Sequence, residues 1–437
     1  MTTSTTSTSR RAFLGGGLAL GAAALGPRHA FAGSDLAAAH WPTVARMIDD
    51  YVGGGRVSGM VSVLGFGAGR GDLIARGKLA VGDAPAIGRD SLFRVYSMTK
   101  PLTGMCAMML IDDGKMKLDQ PLSDILPKFA KMQVQVTPDG AIDQLRPASG
   151  PITIRQLLTH TAGLGYSIIQ HGPIKAAYEA AGVVPGQISR IDMPGLSRAK
   201  AVPSLTQFAD HLAGLPLVYE PGTHWSYSVG LDLMGRVIEV VSGQPFDKFM
   251  HDRIIAPCGM NSTYFQVPQS DVGRLTTNYA VVKGVLLPLD PARSSIYLDK
   301  PAFPFGGAGL VSSPSDYDRF LTMLLGYGVI DGRRVMSEKA VRMGTSNLLP
   351  AGVNTATSMI GGAGFGAGGR VGIGIDAGTY GWGGAAGTVA FVNYRVKNRA
   401  SLFTQYMPDN TYPIHTDFPK AVIADIMAMS ARAKSAA

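Results

Sequence analysis

The sequence predicts an α+β protein. Its main lobe is an α/β unit with an antiparallel sheet flanked by helices, assembled from both chain ends, and a mostly helical lobe is inserted between them. Three observations carry this. Strand and helix patterns alternate near the N-terminus, helical stretches separated by Pro- and Gly-rich loops fill the middle, and strands return before a closing helix. Apolar residues make up 46% of 437 residues and charged residues only 16%, a mixture that excludes a disordered chain. No repeat recurs at a fixed period, which excludes a solenoid. The expected organisation is residues 33–114 and 291–437 as the α/β lobe and 115–290 as the helical lobe, with the active site between them.

Residues 1–32 are expected to be an address rather than fold. Arg10-Arg11 stand just before the uncharged run Phe13 to Leu25, and Ala30-Phe31-Ala32 is a small-x-small cleavage pattern. The paired arginines match the twin-arginine class of export signal. The run is shorter than the about 20 residues that span a bilayer, so cleavage is expected rather than anchoring. The mature chain is then periplasmic or secreted, with no stable membrane insertion. Cleavage would remove Arg10, Arg11 and Arg28 and no acid, lowering the formal charge from +9 to +6.

A helix is expected from Pro42, where Val44, Met47, Ile48 and Tyr51 recur at helical spacing, ending at Gly53-Gly54-Gly55. Val57 to Phe66 and Asp72 to Val81 read as a hairpin about a Gly-rich turn. From Ser97 a long apolar helix runs to about Asp112-Asp113-Gly114. Helices follow at Ile154–Leu158, Ser204–Ala213 and Gly230–Ser242, then strands at Asp376–Gly381, Gly387–Tyr394 and Ala400–Tyr406, and a last amphipathic helix from Phe418 to Arg432. The Gly-rich segment 361–374 reads either as a flexible surface loop or as an active-site flap.

Lysines and arginines are scattered rather than clustered, so no nucleic-acid footprint is expected. The two cysteines, Cys106 and Cys258, sit in apolar or loop surroundings and read as small buried residues rather than a bridge. No H-E-x-x-H, zinc-spaced Cys/His set or phosphate-binding glycine loop occurs, so neither a metal nor an organic cofactor is expected. No serine has glycine at both −2 and +2, which removes the nucleophile elbow of α/β-hydrolases. The sequence carries no signal for oligomeric state.

What remains is Ser97-Met98-Thr99-Lys100. An S-x-x-K tetrapeptide is a weak signal, and a second one stands at Ser197-Arg198-Ala199-Lys200. Context separates them. Ser197 lies in a polar stretch beside Pro194 and Gly195, whereas Ser97 follows a strand-like run and opens a strongly apolar helix. Three residues apart on a helix, Ser97 and Lys100 share one face. Free N–H groups at the helix start favour a developing oxyanion. A lysine turned into an apolar site loses proton affinity and can accept the serine's proton. Tyr227, just ahead of the helix at Gly230, can relay a proton. In Tyr380-Gly381-Trp382-Gly383-Gly384-Ala385 the glycines allow backbone to approach a substrate.

These three motifs, in this order, resemble those of the serine β-lactamase and penicillin-binding-protein superfamily, and most of all the class C β-lactamase-related esterases called family VIII carboxylesterases. The runs Leu157–Leu164 (L-L-T-H-T-A-G-L) and Gly306–Ser312 (G-G-A-G-L-V-S) match as well. The resemblance implies the β-lactamase/transpeptidase-like fold, Ser97 as acylated nucleophile, Lys100 as its base, Tyr227 as the second-motif tyrosine, and the backbone N–H groups of Ser97 and Ala385 as the oxyanion hole. It implies a substrate pocket at Trp382, Gly383, Gly384, Trp225, Val229 and Tyr166, and a structural His160. Two departures bear on substrate. Val229 replaces the asparagine of Tyr-x-Asn, and Trp382 replaces a lysine or histidine that would help hold a carboxylate. Losing that charge-assisted contact costs about 1.5–3 kcal/mol. Trp382 offers an apolar wall instead, and both changes point to neutral esters with apolar acyl groups. An amide hydrolase of the same fold, an acyltransferase, and a non-catalytic peptidoglycan-binding relative are the competing readings.

Overall fold

The computed structural model describes residues 36–191 and 199–435. The export-signal pattern at 1–32 and Ser197 of the second S-x-x-K lie outside the described residues. Helix α1 (Pro42–Gly53) is followed by strands β1 (Gly59–Phe66) and β2 (Asp72–Gly77). A long helix α2 (Thr99–Asp112) leads into a region of helices and loops that includes Ile154–Leu158, Leu205–Ala213 and α3 (Gly230–Ser242). Helix α4 (Pro314–Leu325) then precedes β3 (Gly364–Phe365), β4 (Arg370–Val371), β5 (Thr379–Gly384), β6 (Thr388–Asn393) and β7 (Asn398–Phe403), and α5 (Ile414–Ser435) closes the chain.

The strands form one seven-stranded antiparallel sheet in the order β3-β4-β5-β6-β7-β1-β2. Strand β1, from the N-terminal part, pairs with β7, from the C-terminal part, with Val61 opposite Phe403 and Phe66 opposite Asn398. Both faces of the central strands are covered. Met60, Leu64, Ala400 and Leu402 point to a core shared with α1 and α5, through Val44, Ile48, Phe418 and Val422. Val61, Ala390, Val392 and Phe403 point the other way, to the main core with Phe320 and Leu324 of α4. Burial on both sides explains why β1 is apolar with little alternation.

Helix α1 has no side-chain cap of its own, since Trp41 occupies the cap position. Asp425, buried on α5, supplies it: its carboxylate accepts the backbone N–H of Thr43 at 3.0 Å and of Val44 at 3.1 Å. A carboxylate at a helix start satisfies two open donors and complements the dipole.

Helix α2 is buried on nearly all sides, from Thr99 to Leu110. A helix apolar all round has no solvent face, and this one is the axle of the main core. Ser97 does not belong to it. The residue sits in a tight 3₁₀ turn, Tyr96–Met98, that runs into the helix. The Gly-rich segment at 361–374 is largely packed down rather than a free loop. Residues 363–369 are buried, and a Cβ on Gly104 of α2 would lie 2.0 Å from the Ala367 carbonyl. Both cysteines are buried and free. Among the described residues no helix is long and apolar enough to cross a membrane.

Candidate active site

Three chain segments meet at Ser97. The first is its own turn. Tyr96 holds a left-handed backbone, φ 40°, which is unfavourable for a bulky residue and is sustained only by its surroundings. Its phenol accepts a hydrogen bond from Asn278 Nδ2 at 3.2 Å, and its ring meets Tyr297 edge-on. This bend turns Ser97 outward to partial exposure while Tyr96 and Met98 are buried.

Lys100, in the first turn of α2, is fully buried. Its Nζ lies 3.3 Å from Ser97 Oγ and donates to the Gly307 carbonyl at 2.8 Å. It also stands over the Tyr227 ring, 4.5 Å from the centroid, and 5.6 Å from that of Tyr166.

The second segment is the loop before α3. The Tyr227 hydroxyl donates to Ser97 Oγ at 2.8 Å. Its ring is wedged among Tyr166, His160, Trp225 and Trp382. The third segment is β5, whose Trp382 indole N–H donates to the Tyr227 hydroxyl at 3.1 Å. The apolar wall expected at Trp382 is therefore also a polar group committed to the tyrosine. The end of β5 presses on the turn that carries Ser97: a Cβ on Gly384 would lie 2.4 Å from the Val95 carbonyl and 2.3 Å from Thr388 Oγ1. Only glycine permits that approach, which brings Ala385 to the side of Ser97's turn.

The remaining expected residues are placed as follows. Gly383 has room for no side chain, because a Cβ would meet the His415 ring at 2.9 Å. Val229 is fully buried and sits at the cap of α3, its N–H donating to the Gly165 carbonyl. Tyr166 is buried, and burial with the neighbouring Tyr227 and Asp232 pushes its phenol well above the ordinary value. His160 is buried with φ 57° and bonds to Ser228 through Nδ1 at 3.0 Å. Burial, reinforced by the Lys100 charge, pulls its imidazole well below its ordinary value, so it stays neutral. Its ring supports Tyr227, with centroids 4.8 Å apart.

Three participants are not visible in the sequence motifs as chemical groups. Phe365 on β3 touches the rings of His160, Trp225 and Trp382 and ties both tyrosine-bearing segments to the sheet edge. Gly307 offers its carbonyl to Lys100. Asp232, in the first turn of α3, is buried and accepts the Gly307 N–H at 2.7 Å through Oδ1. Burial pushes its carboxyl up to about 6, against the opposing pull of Lys100.

A half-exposed serine hydroxyl held between a buried lysine amine and a tyrosine hydroxyl is an arrangement suited to acyl transfer through the serine. The β-lactamase family model matches residues 44–422, a span that contains all three segments. The chain belongs to the β-lactamase family. Protein Rv1367c of Mycobacterium tuberculosis is 36% identical to this β-lactamase-family chain over 255 residues, 58% of this chain and 59% of that one. Esterase EstB of Burkholderia gladioli is 28% identical over 285 residues, 61% of this chain and 65% of its own. These alignments span about six tenths of the curated relatives' length. Other relatives are named as acyltransferases and as a penicillin-binding protein. Among solved structures, EstCE1, described as a hydrolase with promiscuous acyltransferase activity, superposes with a TM-score of 0.71 at 25% identity, covering 89% of this chain and all of its own. The fold is that of the β-lactamase family, α+β with an antiparallel sheet.

Proposed function

We propose that this protein is a serine hydrolase of small to medium carboxylic esters that works through an acyl-Ser97 intermediate. The observation that carries the reading is the position of the Ser97 hydroxyl between Lys100 Nζ at 3.3 Å and the Tyr227 hydroxyl at 2.8 Å. Lys100 Nζ, held by the Gly307 carbonyl at 2.8 Å, takes the serine proton. Ser97 Oγ then bonds to the ester carbonyl carbon, and the oxyanion forms against the Ser97 and Ala385 N–H groups. As the tetrahedral centre collapses, the bond to the alcohol oxygen breaks. The proton passes from Lys100, by way of Tyr227, to that oxygen. Water, deprotonated by the same pair, releases the acid and restores Ser97.

Ester preference is supported by the residues at the two departures from the β-lactamase motifs. Val229 offers no amide, and Trp382 offers no charge for a substrate carboxylate. Transfer of the acyl group to an alcohol instead of water is a second outcome of the same intermediate, favoured by the description of EstCE1. On the twin-arginine pattern we place the protein outside the cytoplasm. The test compares the mature protein and Ser97→Ala on a short-chain nitrophenyl ester and a chromogenic cephalosporin, with and without added alcohol. Fast ester cleavage lost in the variant, with little cephalosporin turnover, supports the reading. The reverse preference overturns it, and an ester product on the added alcohol identifies a transferase.

A further inference from the structure

Asp232 stands out among the carboxylates of the described residues. It is fully buried, one oxygen is spent on the Gly307 N–H, and no other residue donates a hydrogen bond to the second, Oδ2. An unpaired buried carboxylate oxygen is costly and is retained where it does something. The residue's position in the first turn of α3 gives it a place at the helix dipole, but that role is filled equally well by an exposed acid. The packing here is specific to the carboxylate: a Cβ on Gly307 would lie 2.5 Å from Asp232 Oδ2, so glycine at 307 lets backbone and carboxylate meet. Gly307 is the same residue whose carbonyl holds Lys100.

The titratable groups facing Lys100 are Tyr166, Tyr227, His160 and Asp232. Those facing Asp232 are Lys100 and Tyr166. Burial keeps the Tyr166 phenol protonated and the His160 imidazole neutral. Of the four groups facing Lys100, Asp232 is the one carboxylate.

We propose that Asp232 is a positioning residue for Lys100: it anchors Gly307, whose carbonyl orients the amine, and its charge stabilises the ammonium formed when Lys100 takes the Ser97 proton. The inference rests on the reading of Lys100 as the base. During acylation the Ser97 O–H bond breaks, an N–H bond forms on Lys100, and the new positive charge faces a buried carboxylate.

The experiment measures phosphonylation of Ser97 by a nitrophenyl alkylphosphonate, from mildly acidic to mildly alkaline pH, in wild type and Asp232→Asn. The amide keeps an acceptor for the Gly307 N–H and removes the charge. A neighbouring opposite charge shifts an ionisation by about 1–3 units, so the acid limb of the variant is expected to move down by about one pH unit, with a plateau about tenfold lower. A limb that stays at its wild-type position overturns the proposal, because a purely structural aspartate leaves it there. Gly307→Ala is the second variant, for the case in which Asp232→Asn does not fold. Its Cβ pushes the carboxylate away, and the limb is expected to move in the same direction; an unmoved limb again overturns the proposal. Wild type that is never labelled at Ser97 overturns the hydrolase reading, and this inference with it. Normal labelling with an unmoved limb overturns this inference alone.

Discussion

Trp382→Phe separates two descriptions of one side chain. The sequence suggests an apolar wall; the structure adds a hydrogen bond from the indole N–H to the Tyr227 hydroxyl at 3.1 Å. Phenylalanine keeps an aromatic ring against Tyr227 and Phe365, whose centroids lie 5.6 and 5.2 Å from that of Trp382, and removes the donor together with the indole's second ring. A net hydrogen bond of this kind is worth about 0.5–1.5 kcal/mol. If it holds the Tyr227 hydroxyl in line with Ser97 Oγ during proton transfer, its loss raises the barrier by that amount. The acylation rate then falls by about 2- to 12-fold. The loss belongs in kcat rather than in KM, since the interaction is used in proton transfer and not in substrate binding. Steady-state and single-turnover kinetics on a nitrophenyl ester, with near-ultraviolet circular dichroism to verify the aromatic packing, give both parameters. A raised KM with unchanged kcat would refute the argument and leave Trp382 as wall alone.

Other outcomes follow from the same geometry. Lys100→Ala is expected to lower ester turnover more than Tyr227→Phe does, the latter by about a hundredfold, as expected for one proton-transfer partner; equal losses in single-turnover assays would remove the base role from Lys100. Ser197→Ala is expected to leave turnover unchanged, and a loss there would move the nucleophile to the second tetrapeptide. Gly384→Ala forces a Cβ to within 2.4 Å of the Val95 carbonyl and is expected to destabilise by about 1–3 kcal/mol and to displace Ser97's turn, read by thermal denaturation and ester turnover together. Asp232, with its carboxyl pushed up to about 6, binds its proton more tightly folded than unfolded. Its contribution to stability is full below the ordinary carboxylate value and is lost as pH rises through about 6. The melting temperature of wild type relative to Asp232→Asn is therefore expected to decline from mildly acidic to neutral pH, and a constant difference would contradict this.

The S-x-x-K motif at Ser97 has a physical context, because Ser97 precedes a helix apolar enough to bury a lysine. The hairpin and the helix at Pro42 were also legible, from alternation and from periodic apolar residues. The turn at Tyr96 was not, because tyrosine is among the residues least expected at positive φ and only tertiary contacts hold it there. Gly307 escaped because a carbonyl oxygen has no side-chain signature. Asp232 escaped because an acid in the first turn of a helix reads as an ordinary dipole partner. The Gly-rich stretch at 361–374 suggested looseness, yet its glycines serve close packing: a Cβ on Gly368 would lie 2.3 Å from the Lys100 carbonyl.

The pairing of β1 with β7 carries a consequence for the order in which this molecule can be made. Val61 and Phe403 are neighbours across the sheet but 342 residues apart in sequence. Until the last strand leaves the ribosome, β1 is an apolar edge with no partner on that side, the kind of edge that invites pairing with another chain. Folding dominated by such distant contacts is slow. Such an edge must therefore be kept from pairing with other copies of the chain through nearly all of its synthesis. The same juxtaposition, with Asp425 capping the helix at Thr43, leaves α1 and α5 side by side. Joining them by a short linker and opening the chain at an exposed turn elsewhere would let β1 and β7 emerge in succession, turning the most distant contact of the sheet into a local one.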